Sequence, residues 1–505
     1  MHASQLIFRS VIFSYDASPI QLFSNLSLHI SKGWTGVIGA NGSGKSTLLQ
    51  LAAGLLLPHQ GSIDRPSHAL YCPQRTDDPP LSSAEFLDDK SRNSQVLKSK
   101  LAIDADYLAR WPSLSHGERK RLQLAVALWL QPDLLAVDEP TNHLDAHARD
   151  LIVNALQSYE AVGLLVSHDR ELLDRLCQTC IITSPPGVEV KPGGASQALA
   201  ASEQEKMAIQ RLHDQRRKEL QRLQREVTRR REEAQQADRK RSKRHLDRKD
   251  RDGRAKINGA RVSGKDGHAG KLQRQMQGRL NQLQDEFAEI KPEKMYNLGI
   301  WLPGAVSRRD FLLQVPAGML DLGGSKALFY PDLTLKATDR IAVVGPNGSG
   351  KSTLVNYLLN RFNVDQQRIT YLPQEIDRHT SKSILAEASS LPKQQLGQLM
   401  TIVSRLGSRP ERLLSSAEPS PGEVRKLLLA LGMTREPQLI IMDEPTNHLD
   451  LPSIQCLEDA LADCPCALLL VSHDFYFLRR LTTITWQLKA SEQGNSFRLY
   501  LAHSL

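Results

Sequence analysis

The stretch Asp138-Glu139-Pro140-Thr141-Asn142-His143-Leu144-Asp145 returns unchanged as Asp443-Glu444-Pro445-Thr446-Asn447-His448-Leu449-Asp450. Each copy follows an apolar run, Leu134-Leu135-Ala136-Val137 and Leu439-Ile440-Ile441-Met442. A short apolar run that ends in two acids predicts a buried strand delivering carboxylates to a site at its C-terminal edge. Upstream of each copy, residues 39–46 and 345–352 both satisfy G-x-x-x-x-G-K-[ST], a loop that cradles phosphates.

Outward from these anchors the chain repeats itself. Lys45 matches Lys351, Gln74 matches Gln374, Ser115 matches Ser420, Asp138 matches Asp443 and His168 matches His473. The offsets are 306, 300, 305, 305 and 305, so an internal duplication made both halves. The Gln offset stands apart because the Lys-to-Gln interval is 29 residues in the first half and 23 in the second. In the first half, residues 6–13, 26–30, 35–38, 134–137 and 163–166 read as strands, and 46–54 and 117–130 as helices. Such alternation predicts an α/β fold with a mainly parallel sheet in each half.

The halves are expected to be residues 1–197 and 301–505, joined by residues 198–300. That joining segment carries the charge. Of the net +9, residues 201–290 hold 25 Lys and Arg against 15 Asp and Glu, and the remainder holds 40 against 41. Excess charge confined to one segment favours a polyanion-binding arm over an ordinary solvated helix. Residues 203–249 lack Pro and Gly and are rich in Gln, Arg, Lys and Glu, which predicts a long exposed helix. Gly253, Gly259, Gly264, Gly267 and Gly270 then predict a basic, flexible tip. Helix resumes from about Lys271, with Met276, Leu280, Leu283, Phe287 and Ile290 spaced as a heptad seam. Ile209, Leu212, Leu220, Leu223 and Val227 are the expected facing side of a helical hairpin. A disordered charged linker is the competing reading.

No apolar run approaches the ~18 residues of a membrane helix, and the N-terminus does not read as a signal peptide. Six cysteines in 505 residues are not a disulfide framework, and Cys177 and Cys180 lack the second pair a zinc site needs. A reducing, cytoplasmic compartment is expected.

The chemistry follows from residue type and spacing. Around Gly39, Asn41, Gly42, Ser43, Gly44, Lys45, Ser46 and Thr47, glycines let backbone N–H groups approach phosphates, and Lys45 neutralises them. Gly345, Asn347, Gly348, Ser349, Gly350, Lys351, Ser352 and Thr353 repeat the set. Ser46 and Asp138, with Ser352 and Asp443 in the second half, are candidate Mg²⁺ ligands. Gln74 and Gln374 could reach that metal or the attacking water. Glu139 and Glu444 are placed to orient or deprotonate water. His168 and His473, each 29 residues beyond its Glu, are candidate γ-phosphate sensors.

These motifs, with Leu114-Ser115-His116-Gly117-Glu118 and Pro419-Ser420-Pro421-Gly422-Glu423, resemble those of ATP-binding cassette proteins across nearly the whole of both halves. The resemblance implies two tandem P-loop cassettes that bind ATP and Mg²⁺ at composite sites. One would join Lys45, Asp138 and Glu139 to Ser420 and Gly422. The other would join Lys351, Asp443 and Glu444 to Ser115 and Gly117. ATP would clamp the cassettes together within a monomer, and hydrolysis would release them. Two departures mark the second half. Pro419 and Pro421 flank the signature serine, which puts that half-site's geometry in question. Tyr15 lies where the family places an adenine-stacking aromatic, and the matching position holds Asp321. Tandem cassettes, a charged helical linker and no membrane domain are similar to the ABC-F branch. That likeness implies an ATPase that binds the ribosome, its linker reaching rRNA and tRNA. A DNA-acting ATPase, or a transport ATPase with a separate membrane partner, is the alternative.

Overall fold

A computed structural model describes residues 5–16, 21–142, 144–240, 265–289, 304–324, 326–406, 420–447, 449–491 and 496–503. The chain divides into two compact units, Met1–Leu199 with Asn297–Leu505, and Ala200–Tyr296. The first unit holds both halves of the duplication.

In the first cassette, β1 (Leu6–Ser14), β2 (Gln21–Ile30), β3 (Gly33–Gly39), β4 (Gln60–Asp64), β5 (Ala69–Cys72), β6 (Leu134–Asp138), β7 (Val162–Val166), β8 (Cys177–Ser184) and β9 (Gly187–Pro192) form two sheets. One is antiparallel, ordered β2-β1-β4, and the other runs β5-β6-β7-β3-β8-β9. The strands from β5 to β8 in that order pair in parallel. Every residue of β6 and β7 is buried, as expected of strands covered on both faces.

The second cassette contains β10 (Phe311–Val315), β11 (Gly318–Gly323), β12 (Lys326–Tyr330), β13 (Leu333–Lys336), β14 (Arg340–Val344), β15 (Ile369–Leu372), β16 (Leu439–Asp443), β17 (Ala467–Val471), β18 (Ile484–Ala490) and β19 (Ser496–His503). Its main sheet is ordered β11-β12-β19-β18-β14-β17-β16-β15. From β15 to β18 this retraces the first cassette. Here β12 pairs in parallel with β19, so the antiparallel hairpin joins the main sheet, unlike its counterpart. A single apolar cluster includes residues of both cassettes, among them Leu144, Ile152, Leu449 and Leu451. All six cysteines are buried free thiols.

Within Ala200–Tyr296 lie most of the helix Ala195–Lys240 and the helix Lys265–Glu289. They run antiparallel, because His213 stacks on Phe287 at 4.6 Å while Arg216 reaches Glu286 and Arg279 reaches Glu219. Leu280 and Leu283 are buried in this seam. The facing side differs from the expected one at its start. Ile209 and Leu212 are each 45% exposed, and His213 and Arg216 take their place. The second helix also begins six residues before Lys271 and takes in Gly267 and Gly270. The expected tip glycines Gly253, Gly259 and Gly264, and Ile290, lie outside the described residues.

Candidate active sites

Each phosphate loop leaves a central parallel strand and opens a helix, Lys45–Ala53 after β3 and Lys351–Leu359 after β14. Backbone N–H groups at such a helix start favour an anion. Gly44 and Gly350 adopt φ of +91°, and a Cβ at either would meet Leu22 at 2.9 Å or Leu322 at 2.6 Å. A left-handed turn pressed against a leucine therefore requires glycine twice. The lysine Nζ atoms donate back to the loop, Lys45 to Gly39 and Ala40 carbonyls at 2.9 and 3.0 Å, Lys351 to Gly345 and Pro346 carbonyls at 2.8 and 3.0 Å. Burial pulls both ammonium groups below the usual lysine range.

Asp138 and Asp443 end β6 and β16, beside the loops. Tyr71 donates to Asp138 at 3.0 Å. Ser352 hydrogen-bonds Asp443, whose other oxygen, Oδ2, is buried without a partner. A hydroxyl, a carboxylate and a Gln carbonyl are hard oxygen donors, so Ser46, Asp138 and Gln74, or Ser352, Asp443 and Gln374, suit Mg²⁺.

The next residues, Glu139 and Glu444, sit in the left-handed region at φ of +45° and +48°. Their N–H groups still donate to Val166 and Val471 carbonyls at 2.9 and 2.8 Å. A non-glycine there costs on the order of 1–2 kcal/mol, and both cassettes keep it. Burial foremost, and then the adjacent aspartate, pushes the Glu139 carboxyl up to about 8. Burial raises Glu444 to about 7, with Lys351 opposing. His168 Nε2 lies 3.1 Å from Glu139 Oε1, and its backbone N–H donates to Oε2 at 3.2 Å. His473 stands off further, 3.5 Å from Glu444 Oε1, and its Nε2 is 3.2 Å from Asn347 Oδ1. Burial holds both imidazoles neutral, down at about 3.

The two cassettes share these sites. A cavity of about 630 Å³ is lined by Lys45, Ser46, Thr47, Gln74, Asp138, Glu139 and His168 from the first cassette and by Ser420 and Gly422 from the second. Asn41, Gly42, Gly44 and Tyr15 line it too, and the Tyr15 hydroxyl is 2.9 Å from Thr47 Oγ1. A second cavity of about 480 Å³ holds Asn347, Gly348, Gly350, Lys351, Ser352, Thr353, Gln374, Asp443, Glu444 and His473. Thr141, Asn142, Leu144 and Arg149 of the first cassette complete it. Ser115 and Gly117 do not line it. A Cβ on Gly117 would lie 2.7 Å from Leu144, so that glycine packs behind the wall. Gly39, Ser43, Gly345 and Ser349 also stand behind their loops rather than in the cavities.

Both signature serines cap helices. Ser115 starts His116–Trp129 and Ser420 starts Pro421–Met433, each in a reciprocal capping box with Glu118 or Glu423. Pro421 occupies the first turn, where a missing N–H has no helical partner to lose, so the cap geometry matches that of the first cassette. Pro419 lies outside the described residues, as do His143 and His448. Asp321 turns away from the cavity to accept the Gly323 N–H at 2.8 Å, and Leu322 lines it instead. The β11–β12 turn is short, since Gly323 already pairs with Lys326, and no aromatic enters there.

Several working residues escape the motif reading. Lys120 is fully buried and donates to the Pro73 and Asp138 carbonyls at 2.7 and 3.1 Å. Arg425, 305 residues on, donates to the Gln374, Asp443 and Glu444 carbonyls at 3.0, 3.0 and 2.9 Å. These cations tie the signature helix to the metal-site strand and the Gln loop. Their recurrence five residues after each signature serine was the available signal. Asp450 accepts the Asn41 N–H at 2.7 Å, and Asp145 accepts the Asn347 N–H at 3.4 Å. Each duplicated stretch thus ends on the phosphate loop of the opposite cassette.

The family described as ABC transporter matches residues 23–142 and 330–447. The tylosin resistance ATP-binding protein TlrC of Streptomyces fradiae is 31% identical over 95% of this chain and 96% of its own length. The ribosome protection protein VmlR of Bacillus subtilis is 28% identical over 93% of this chain and 84% of its own. An archaeal ribosome recycling factor, aABCE1, solved with the stalk protein aP1, superposes with a TM-score of 0.62 at 18% identity, covering 97% of this chain and 89% of that one. Among the described residues no helix is long and apolar enough to cross a membrane.

Proposed function

The chain belongs to the ATP-binding cassette family, in its ABC-F branch, and on that premise we propose a cytoplasmic, ATP-driven clamp that acts on the ribosome. One observation carries the ATPase reading. Lys45, Asp138 and Glu139 face Ser420 and Gly422 of the other cassette across one cavity. A site completed only by both cassettes makes nucleotide binding and cassette closure one event.

In this reading Lys45 and Lys351 leave their loop carbonyls to bind β- and γ-phosphate oxygens. Ser46, Asp138 and Gln74, or Ser352, Asp443 and Gln374, would hold Mg²⁺, which would supply charge neutralisation. Glu139 and Glu444 orient the attacking water and accept its proton. His168 and His473, neutral and beside those carboxylates, hold them in place and contact the γ-phosphate. The proposed domains are cassettes 1–197 and 301–505 with an arm at 198–300, acting within one monomer. The ribosome as partner rests on the resistance and ribosome-protection relatives and on the +10 charge of residues 201–290, suited to rRNA and tRNA.

Co-sedimentation of the Glu139→Gln, Glu444→Gln protein with purified ribosomes tests this. We expect pelleting with ATP but not ADP, weakening as salt rises. Absence of pelleting with ATP at low salt, or tighter binding to branched DNA, overturns the ribosome reading.

A further inference from the structure

One guanidinium stands between the two sites, and the motifs leave it without a role. Arg149 lies on the helix Ala146–Leu156 of the first cassette and is 12% exposed. Its Nε is 3.1 Å from Asp169, the residue after His168, and its Nη1 is 3.6 Å from Glu171. Its Nη2 crosses to the second cassette and donates to the His473 carbonyl at 2.9 Å. It also lines the cavity of the second site. The matching residue, 305 positions on, is Ile454, which carries no donor.

We propose that Arg149 is a trans-acting positioning residue of the second ATP site, supplied by the first cassette and not reciprocated. Two acids of its own cassette fix the guanidinium. The fixed guanidinium then holds the backbone of His473, whose ring lies between Glu444 and Asn347 of the phosphate loop. The contact exists only while the cassettes are together, so the second site's histidine is set by closure. A charge-assisted hydrogen bond of this kind is strong enough to alter ligand preference about tenfold. Among the described residues the first site shows no such tether, and His168 there packs on Glu139 directly at 3.1 Å.

The inference rests on the reading that both cavities take ATP, and its test separates the two. Binding of mant-ATP and mant-ADP is measured in the full chain carrying Lys45→Ala, which leaves the second site, and in the mirror protein carrying Lys351→Ala. Adding Arg149→Ala should lower the second site's preference for mant-ATP over mant-ADP roughly tenfold. It should change the first site's preference far less. Arg149→Lys, which keeps the charge between Asp169 and Glu171, should recover most of the preference, whereas a mere packing loss would not be rescued. Equal losses in both backgrounds, or none in either, overturn the role of Arg149. Failure of the Lys45→Ala protein to bind either nucleotide overturns the second site as an ATP site, and the inference with it.

Discussion

Glu139 and Glu444 show how one residue carries chemistry and strain together. The left-handed backbone at each sets a buried carboxylate beside a neutral histidine. Burial lifts their carboxyls to about 8 and about 7, above the ordinary glutamate value of 4.5. A carboxyl raised on folding stabilises most below its unfolded value, and that contribution is lost as pH rises through the folded value. Glutamine keeps the shape of the protonated acid at every pH. The Glu139→Gln, Glu444→Gln protein should therefore match wild type below the unfolded glutamate value of 4.5 and melt at least ~2 °C higher at pH 9, since about 1 kcal/mol moves Tm by roughly that much in a domain of this size. Calorimetry without nucleotide reads this, and a constant gap across pH would contradict the assignment.

At the scale of elements, the signature helices are anchored by one buried cation each. Lys120, pushed down to about 8 by burial, and Arg425, pushed down to about 10, neutralise no carboxylate side chain directly. They satisfy backbone carbonyls at the ends of β6 and β16, beside Gln74 and at Gln374. Removing Arg425 takes a charged donor from three carbonyls, two of them in buried contacts. Arg425→Ala should cost about 3 kcal/mol in urea unfolding and slow ATP turnover as Gln374 and Glu444 lose their common support. Arg425→Lys, matching the first cassette, should recover most of the stability. The helical hairpin is a simpler element. Its heptad spacing was legible from Met276 onward. The facing side was misread at Ile209 and Leu212, because composition shows which residues are apolar and not which face the partner helix presents.

At the scale of the molecule, the duplicated cassettes meet through the repeated Asp450–Asn41 and Asp145–Asn347 contacts and through others that the duplication does not repeat. Arg170 of the first cassette pairs at 3.0 Å with Glu458 of the second, a residue 1% exposed that also meets Arg480 at 3.2 Å. The counterparts of Arg170 and Glu458 are Phe475 and Val153. Removing the acid takes the buried partner from Arg170, while Arg480 keeps Asp459. Glu458→Ala should destabilise by about 3–5 kcal/mol, and Glu458→Gln by less, with urea unfolding as the measurement. A Glu458→Ala protein as stable as wild type would mean that this ion cluster does not hold the cassettes together.

The motifs and the strands that carry them within one cassette were legible in the string of residues, whereas the buried anchors Lys120 and Arg425 were not. Period-2 and apolar-run patterns located five strands of the first cassette, glycine and lysine spacing located the phosphate loops, and the near-constant offset of about 305 residues revealed the duplication. Such signals are local, so they survive in a string of residues. Tertiary structure alone decided what crosses between copies. Asp450 on Asn41, Arg149 on the His473 carbonyl, Leu322 in place of an aromatic, and the exclusion of Ser115 and Gly117 from the second cavity all depend on how two similar surfaces dock. Docking joins residues hundreds of positions apart, and nothing in their local spacing records that distance.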